Sequence, residues 1–564
     1  MKTNVNLLSG YDNALLAQYN ELEPNVRNTH IFDEIGGKAI DGVLKACFYK
    51  DGKLIQMYSS DENHVGVIAA TRLGKTTSYV IPTILSFARQ KVKRSLIISD
   101  PKGEVYKYTA EELKKQGYEI KLLNFRNYRK SECWNMLTPI YRKYTAIMNI
   151  DDEVKVVKEK DGALYNSFRG KVYKNQKQLD EAIDTITKYE LDDVGNDIDT
   201  VANVIAPTLS GKDPYWEDTA RELLKAFLWA MLEDTQLEKN PITEDTFSFS
   251  TMLSIMNTFK DEGTSGSAYN DGGYFSTRPS ESRAYSLAKF AILDNAHTTR
   301  RCVVSSFNAK VAIFRESAIR LITSCNSFEL SELTGDKPVA LFINYRDELK
   351  VHYKIISMFV QDAYRFLIEE AMKKPNGKLD APFYFILDEF GNFPAIKDFE
   401  TTISACAGRN IWFILIIQSY AQLDSVYGEN AKIIRDNLNM HVFFGSNNPS
   451  TLEEISKECG NMTRISPLSA LNGDGREINH YSVETIPLIP KSRLTHFDQG
   501  ECIITEANCG YVLLSKLERY YKCKEFSSLS QANIDEYDVK VNPSDKKYAY
   551  QYIAKSIKRN PFVF

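Results

Sequence analysis

No apolar run in this chain approaches the roughly 18 to 20 residues that a membrane-crossing helix needs, and Met1-Lys2-Thr3-Asn4 does not open a signal peptide. The expectation is a soluble chain with no transmembrane segment of its own. Nine cysteines include no C-x-x-C pair, and seven histidines form no cluster at ligand spacing. Structural zinc is therefore not indicated, and the cysteines read as reduced thiols of a cytoplasmic protein. An excess of positive charge is also missing: 70 Lys and Arg face 74 Asp and Glu, a net charge of -4. Any nucleic-acid contact must then come from a local surface. Internal repeats and long low-complexity segments are absent. What is present is a 564-residue chain with 43% hydrophobic residues, enough for large cores and more than one domain.

The most specific local pattern is Val65-Gly-Val-Ile-Ala-Ala-Thr-Arg-Leu-Gly-Lys-Thr-Thr77, an apolar strand running into a loop and then a helix. Backbone N–H groups of such a loop surround a nucleotide's phosphates, with the positive end of the following helix behind them. Ala70, Thr71, Arg72, Leu73, Gly74, Lys75, Thr76 and Thr77 are the candidate phosphate-binding residues. Lys75 would neutralise β/γ oxygens and the Thr76 hydroxyl would hold Mg²⁺, which makes ATP and Mg²⁺ the expected ligands. The pattern's first glycine is replaced by Ala69, acceptable only where that residue keeps a negative φ.

Far downstream, the apolar run Phe383–Leu387 ends in Asp388-Glu389. Carboxylates at the C-terminal end of a central parallel strand lie where α/β sheets bind ligands. Asp388 is the candidate second Mg²⁺ ligand. Glu389 is the candidate base that orients and deprotonates the attacking water. Asp100 and Lys102, just after another apolar run, either reach metal or phosphate or brace the loop.

Seven runs read as strands of a doubly wound parallel sheet: 64–68, 95–99, 119–123, 339–344, 383–387, 411–417 and 441–444. Between about 150 and 330 the periodicity becomes helical, as in Asp218–Leu232. The α/β core is thus split by an inserted, mostly helical domain. Within it, Val154–Tyr165 suggests a hairpin around Lys-Asp-Gly, and Asp261–Ser276 a loop. The expected division is 1–149 for an N-terminal segment and the first part of the nucleotide-binding domain, 150–330 for the insertion, 331–526 for the second part of the nucleotide-binding domain, and 527–564 for a polar tail. Basic clusters at 91–94, 126–130 and 300–301 are candidates for DNA or partner surfaces, more often simply solvated.

Three further stretches carry a resemblance. Asp100-Pro-Lys-Gly-Glu104, Cys133-Trp-Asn-Met-Leu137, and Asp388-Glu-Phe-Gly-Asn392 followed by Gly408-Arg409 and Gln418-Ser-x-x-Gln-Leu-x-x-x-Tyr-Gly428 stand in this order. In them, residues 60 to 525 resemble the VirD4/TraG family of type IV secretion coupling proteins. The resemblance implies a RecA-like P-loop core with an all-α domain, a homohexamer, and an ATP-hydrolysing motor. Such a motor recruits a relaxase bound to single-stranded DNA and delivers it to a conjugative channel. It also implies that Arg409 is an arginine finger for a neighbouring subunit's nucleotide and that Gln418 senses the γ-phosphate. Trp216 with Ala220 resembles the family's start to a helix of the all-α domain, and Trp216 is expected to be a packed core residue. Membrane subunits and ATPases of the secretion channel are the implied partners, with recruitment to the inner face of the cell membrane. Two alternatives remain at this point: an FtsK/HerA-like pump for double-stranded DNA, and a nucleotide-binding docking platform without turnover.

Overall fold

The structure is a computed structural model that describes residues 16–18, 30–34, 42–50, 53–59, 62–158, 164–207, 214–238, 240–259, 274–471, 477–507, 512–527 and 529–539. These divide into two compact units, one from residues up to 123 and from 330 to 537, the other from 124 to 329 together with 538–539.

A ten-stranded sheet organises the first unit. Its strands are β1 (Leu16–Gln18), β2 (Val65–Ala69), β3 (Ser95–Asp100), β4 (Glu119–Asn124), β5 (Val339–Asn344), β6 (Phe383–Leu387), β7 (Ile411–Ile417), β8 (Met440–Gly445), β9 (Glu501–Glu506) and β10 (Val512–Lys516). They lie in the order β1-β10-β9-β8-β2-β7-β6-β3-β5-β4. From β8 through β5 every neighbouring pair of strands is parallel. The interior strands are continuous apolar runs because both faces are covered. Every residue of β2, β5 and β6 is buried, as central parallel strands require.

All seven expected strands are present, within two residues of the anticipated limits. The sheet also extends beyond them through β9, antiparallel to β8, and β10, antiparallel to β9. A long antiparallel ribbon, Asn461–Leu471 with Glu477–Pro487, was likewise not anticipated. Nor was the three-stranded sheet of His30–Glu34, Leu44–Lys50 and Lys53–Ser59.

The register places the site. Leu387 of β6 pairs with Ser99 of β3 and Leu415 of β7, while Ile417 of β7 pairs with Ile68 of β2. The C-terminal ends of β2, β7, β6 and β3 are therefore neighbours. The residues just beyond or at them, Ala70, Gln418, Asp388 and Asp100, line one edge of the sheet.

The second unit is mostly helical, with helices Gln176–Ile205, Tyr215–Glu233, Phe249–Met256 and His297–Val311. Tyr215–Glu233 contains the anticipated Asp218–Leu232 helix and buries Leu223, Leu224, Phe227 and Leu228. Phe227 anchors an aromatic cluster, 5.0 Å from Phe275 and 5.4 Å from Phe307 between ring centroids. Trp216 is only half buried, edge-on to Tyr215 at 5.0 Å; the buried tryptophan of this helix is Trp229. Lys155–Lys158 and Leu164–Phe168 pair antiparallel, and a third strand, Lys171–Tyr173, joins them. The Lys-Asp-Gly turn of this hairpin and most of the 261–276 loop lie outside the described residues. In the anticipated tail, Ala532 donates its N–H to Lys107 O at 2.8 Å and Tyr537 is buried.

Candidate functional site

The loop after β2 folds as its sequence demands. Ala69 completes a strand and is fully buried, and it is not among the positive-φ residues. The loop therefore places no demand for glycine at this position, because an extended backbone accepts a Cβ. Ala70 N–H donates to Gly445 O at 2.9 Å, tying the loop's start to the end of β8. Thr71, Arg72 and Leu73 are exposed at the tip, and Arg72 takes φ 71°. Gly74 has φ 92°, a conformation that favours glycine. The chain then enters a π-type turn, Lys75–Val80, continuous with the buried helix Ile81–Arg89. Thr77 Oγ1 donates to Gly74 O at 3.2 Å, and Ser78 N–H does so at 2.7 Å.

Lys75 leads into a cluster of acids. Its Nζ lies 3.1 Å from Asp388 Oδ1 and forms a second ion pair with Glu389 Oε1. Burial works to lower the Lys75 pKa, but the two carboxylates outweigh it and hold the pKa above the ordinary lysine value. Thr76 Oγ1 lies 3.5 Å from Asp388 Oδ2, so a hydroxyl and a carboxylate converge as hard oxygen donors. Burial raises the Asp388 pKa, against the opposing charge of Lys75. Its backbone is fixed from two strands: Ser99 Oγ donates to Asp388 O at 3.0 Å and Tyr345 OH at 3.4 Å.

Glu389 adopts the left-handed conformation, φ 57°, uncommon for a residue with a side chain. Its Oε2 accepts Gln418 Nε2 at 3.1 Å and Asn392 Nδ2 at 3.3 Å. Gln418 is braced in turn, its N–H donating to Gln422 Oε1 at 2.9 Å. Gly391 makes that brace possible, since a Cβ there would fall 2.6 Å from the same Gln422 oxygen.

Asp100 ends β3 with its carboxylate turned to the helix Glu104–Lys115: Oδ2 accepts Tyr106 N–H at 2.8 Å. Burial raises its pKa to about 7. In this structure Asp100 braces the turn, while Lys102 is exposed.

Arg409 lies just before the N-terminal end of β7, the end opposite Gln418, its Nη1 donating to Ala405 O at 2.8 Å. A seven-residue strand spans roughly 20 Å. Arg409 is therefore remote from the loop of its own chain. The basic clusters are partly structural. Arg94 is fully buried and ion-paired to Glu62, and Arg300 donates to Asn295 O at 2.8 Å.

Sequence reasoning found Lys75, Thr76, Asp388, Glu389 and Gln418, which the fold brings together. It missed Ser99, Tyr345, Asn392 and Gln422, which hold them. The quoted Asp-Glu-Phe-Gly-Asn and Gln-Ser-x-x-Gln motifs contained the signal for the last two.

A parallel sheet whose first loop presents Gly-Lys-Thr to an Asp-Glu pair on a nearby strand defines a RecA-like P-loop NTPase core, here accompanied by a helical unit. Residues 13–542 match the family model described as type IV secretory system conjugative DNA transfer. The chain belongs to that family, the VirD4/TraG coupling proteins. It is 25% identical over 426 residues to conjugal transfer protein TraG of Escherichia coli, covering 74% of this chain and 58% of that relative. It is 21% identical over 491 residues to protein VirD4 of Agrobacterium fabrum, covering 84% and 61%. The chain thus spans about three fifths of the length of each.

Among solved structures, the fold is similar to the bacterial conjugative coupling protein TrwBdeltaN70, with TM-score 0.52, 15% identity, and coverage of 81% of this chain and 84% of that one. It is also similar to the plasmid coupling protein TrwB in complex with a non-hydrolysable ATP analogue, with TM-score 0.52, 14% identity and coverage of 81% and 85%. A third similar structure is TrwB with ADP and Mg²⁺, at TM-score 0.50, 15% identity and the same coverage. No helix among the described residues is long and apolar enough to cross a membrane.

Proposed function

We propose that this chain is an ATP-hydrolysing coupling protein that recruits a relaxase–single-stranded DNA complex and delivers it to a conjugative transfer channel. The observation that supports the chemistry is Lys75 held between Asp388 and Glu389, with Thr76 and Gln418 on the same cluster. These residues fit a magnesium–nucleotide complex: a cation for β/γ oxygens, two oxygen donors for the metal, and a carboxylate to take a proton from water. Mg²⁺, when bound by Thr76 and Asp388, neutralises charge on the phosphate oxygens.

Lys75 exchanges its carboxylate partners for phosphate oxygens. That exchange frees Glu389, which Gln418 and Asn392 keep oriented, to accept the proton of the attacking water. Gln418 touches Glu389 directly, so it links the end of β7 to the γ-phosphate. Arg409 lies at the far end of the sheet and acts on a neighbouring subunit's nucleotide, within a homohexamer. The mostly helical unit chooses the relaxase, and membrane subunits of the secretion channel hold the motor at the inner membrane face. Ala69 lends no weight to a docking platform, because its backbone is extended.

The test is steady-state ATP hydrolysis by the wild type and Lys75→Ala, titrated with single-stranded and duplex DNA at one stated salt concentration. Lys75-dependent turnover that rises with single strands is the expected result. Preferential stimulation by duplex would replace the reading with a double-strand pump. Absence of Lys75-dependent turnover would overturn the motor.

A further inference from the structure

Beyond β10 the chain is led back to the phosphate loop along a fixed path. Leu517 bridges to Cys47, and Glu518 N–H donates to Cys47 O at 2.8 Å. A short turn, Tyr520–Lys522, follows. It is closed by Lys522 N–H on Arg519 O at 2.8 Å and Cys523 N–H on Tyr520 O at 3.1 Å. Lys522 Nζ ties it to Gln499 Oε1 at 2.9 Å, and the Tyr520 ring packs 4.8 Å from that of Tyr108. The turn lies against Lys75–Val80.

This arrangement puts Arg519 over the loop glycine. A Cβ at Gly74 would stand 3.4 Å from Arg519 Nε and 3.3 Å from both Ser78 Oγ and Thr77 Oγ1. Among the described residues, Arg519 Nε and Ser78 Oγ are buried and have no hydrogen-bond partner. Buried donors are seldom left in that state, and here two flank one loop residue. Arg519 Nη1 donates to Tyr521 OH at 2.6 Å, and the Tyr521 ring is 46% exposed.

The other flank of the loop is already filled with Asp388, Glu389 and Gln418, which suit the metal and the γ-phosphate. A nucleotide whose phosphates lie on Lys75 must direct its nucleoside away from those acids, toward Thr77, Ser78 and Arg519. An arginine plane and a tyrosine ring both stack on a nucleobase, and a guanidinium also donates to ribose and base acceptors.

We propose that Arg519 and Tyr521 form a nucleoside clamp, holding the base and ribose of the nucleotide whose phosphates the loop binds. The clamp rests on the nucleotide reading above and adds the part of the ligand that the loop does not touch.

The test compares binding of Mg-ATP and of magnesium inorganic triphosphate to the full chain by calorimetry, for wild type, Lys75→Ala, Arg519→Ala and Tyr521→Ala. Arg519→Ala and Tyr521→Ala should each weaken ATP about tenfold and leave triphosphate within about twofold. Lys75→Ala should lose both ligands. Unchanged ATP affinity in both clamp variants, or equal loss of the two ligands, overturns the clamp while leaving a Lys75-dependent nucleotide site standing. ATP binding that ignores Lys75 removes the nucleotide reading and the clamp with it.

Discussion

Lys75 Nζ lies 3.1 Å from Asp388 Oδ1, and the same oxygen accepts the backbone N–H of Glu389 at 2.9 Å. One carboxylate thus fixes both the cation of the loop and the backbone of the candidate base. Two acids and one ammonium leave the cluster with an excess negative charge. Phosphate oxygens reaching Lys75 add to that excess unless Mg²⁺ enters with them. Nucleotide binding is therefore expected to require the metal: chelation should weaken ATP at least tenfold, read by calorimetry with and without excess EDTA.

Glu389→Gln removes a charge that Lys75 now pairs with while keeping side-chain length. Lys75 becomes freer to meet phosphate, so ATP affinity is retained or improved. The water loses its base, and turnover should fall by about 10² or more. Equilibrium binding and single-turnover hydrolysis on the same preparation separate these effects. Loss of binding would assign Glu389 a structural role instead.

Ala69→Gly restores the loop pattern's first glycine yet should not improve the site. Ala69 is extended and buried, so the substitution removes a packed methyl and loosens the unfolded chain. The expected result is a loss of about 1 kcal/mol in denaturant unfolding and ATP affinity within about twofold of wild type.

The contrast between Ala69 and Arg519 explains what was legible in the sequence. The phosphate loop, the Asp388-Glu389 pair and the seven central strands are local patterns: apolar runs covered on both faces, ending in a few charged or small residues. β9 is harder, since Glu501-Cys-Ile-Ile-Thr-Glu506 offers only a short apolar middle between acids. The ribbon at 461–487 was legible too: polar and apolar residues alternate on either side of Asn472-Gly-Asp-Gly475, a hairpin signal. Arg519 stands more than 440 positions from Gly74 in the chain, and tertiary contacts such as the bridge to Cys47, the Lys522–Gln499 bond and the Tyr520–Tyr108 packing bring them together. The braces Gln422 and Asn392 were visible as motif letters, but their task emerges only with Gly391 beneath Gln422.

In the second unit, Arg278 is buried with Nη2 2.6 Å from Asp234 Oδ1 and Nη1 2.9 Å from Glu233 Oε2. Tyr274 OH adds a bond to Asp234 at 3.0 Å. Arg278→Ala strands a carboxylate whose pKa burial already raises. Destabilisation by about 3 to 5 kcal/mol is expected, read from the denaturation midpoint, with ATP affinity unchanged because the loop belongs to the other unit.

His64, just before β2, is buried, and its Nδ1 accepts Phe413 N–H at 3.0 Å. Burial lowers its pKa to about 4, from about 6.5 in an unfolded chain. Between those values the unfolded chain binds the extra proton and the folded one does not. Stability from this group is therefore complete above pH 6.5 and is lost as pH falls toward 4. The linkage amounts to about 2 kcal/mol between pH 7.5 and pH 5. His64→Asn keeps an acceptor within reach of Phe413 and cannot titrate, so it should flatten that part of the acid slope. Guanidinium unfolding of both proteins at the two pH values checks it, and an equal slope in the variant would show that His64 is protonated in the folded state.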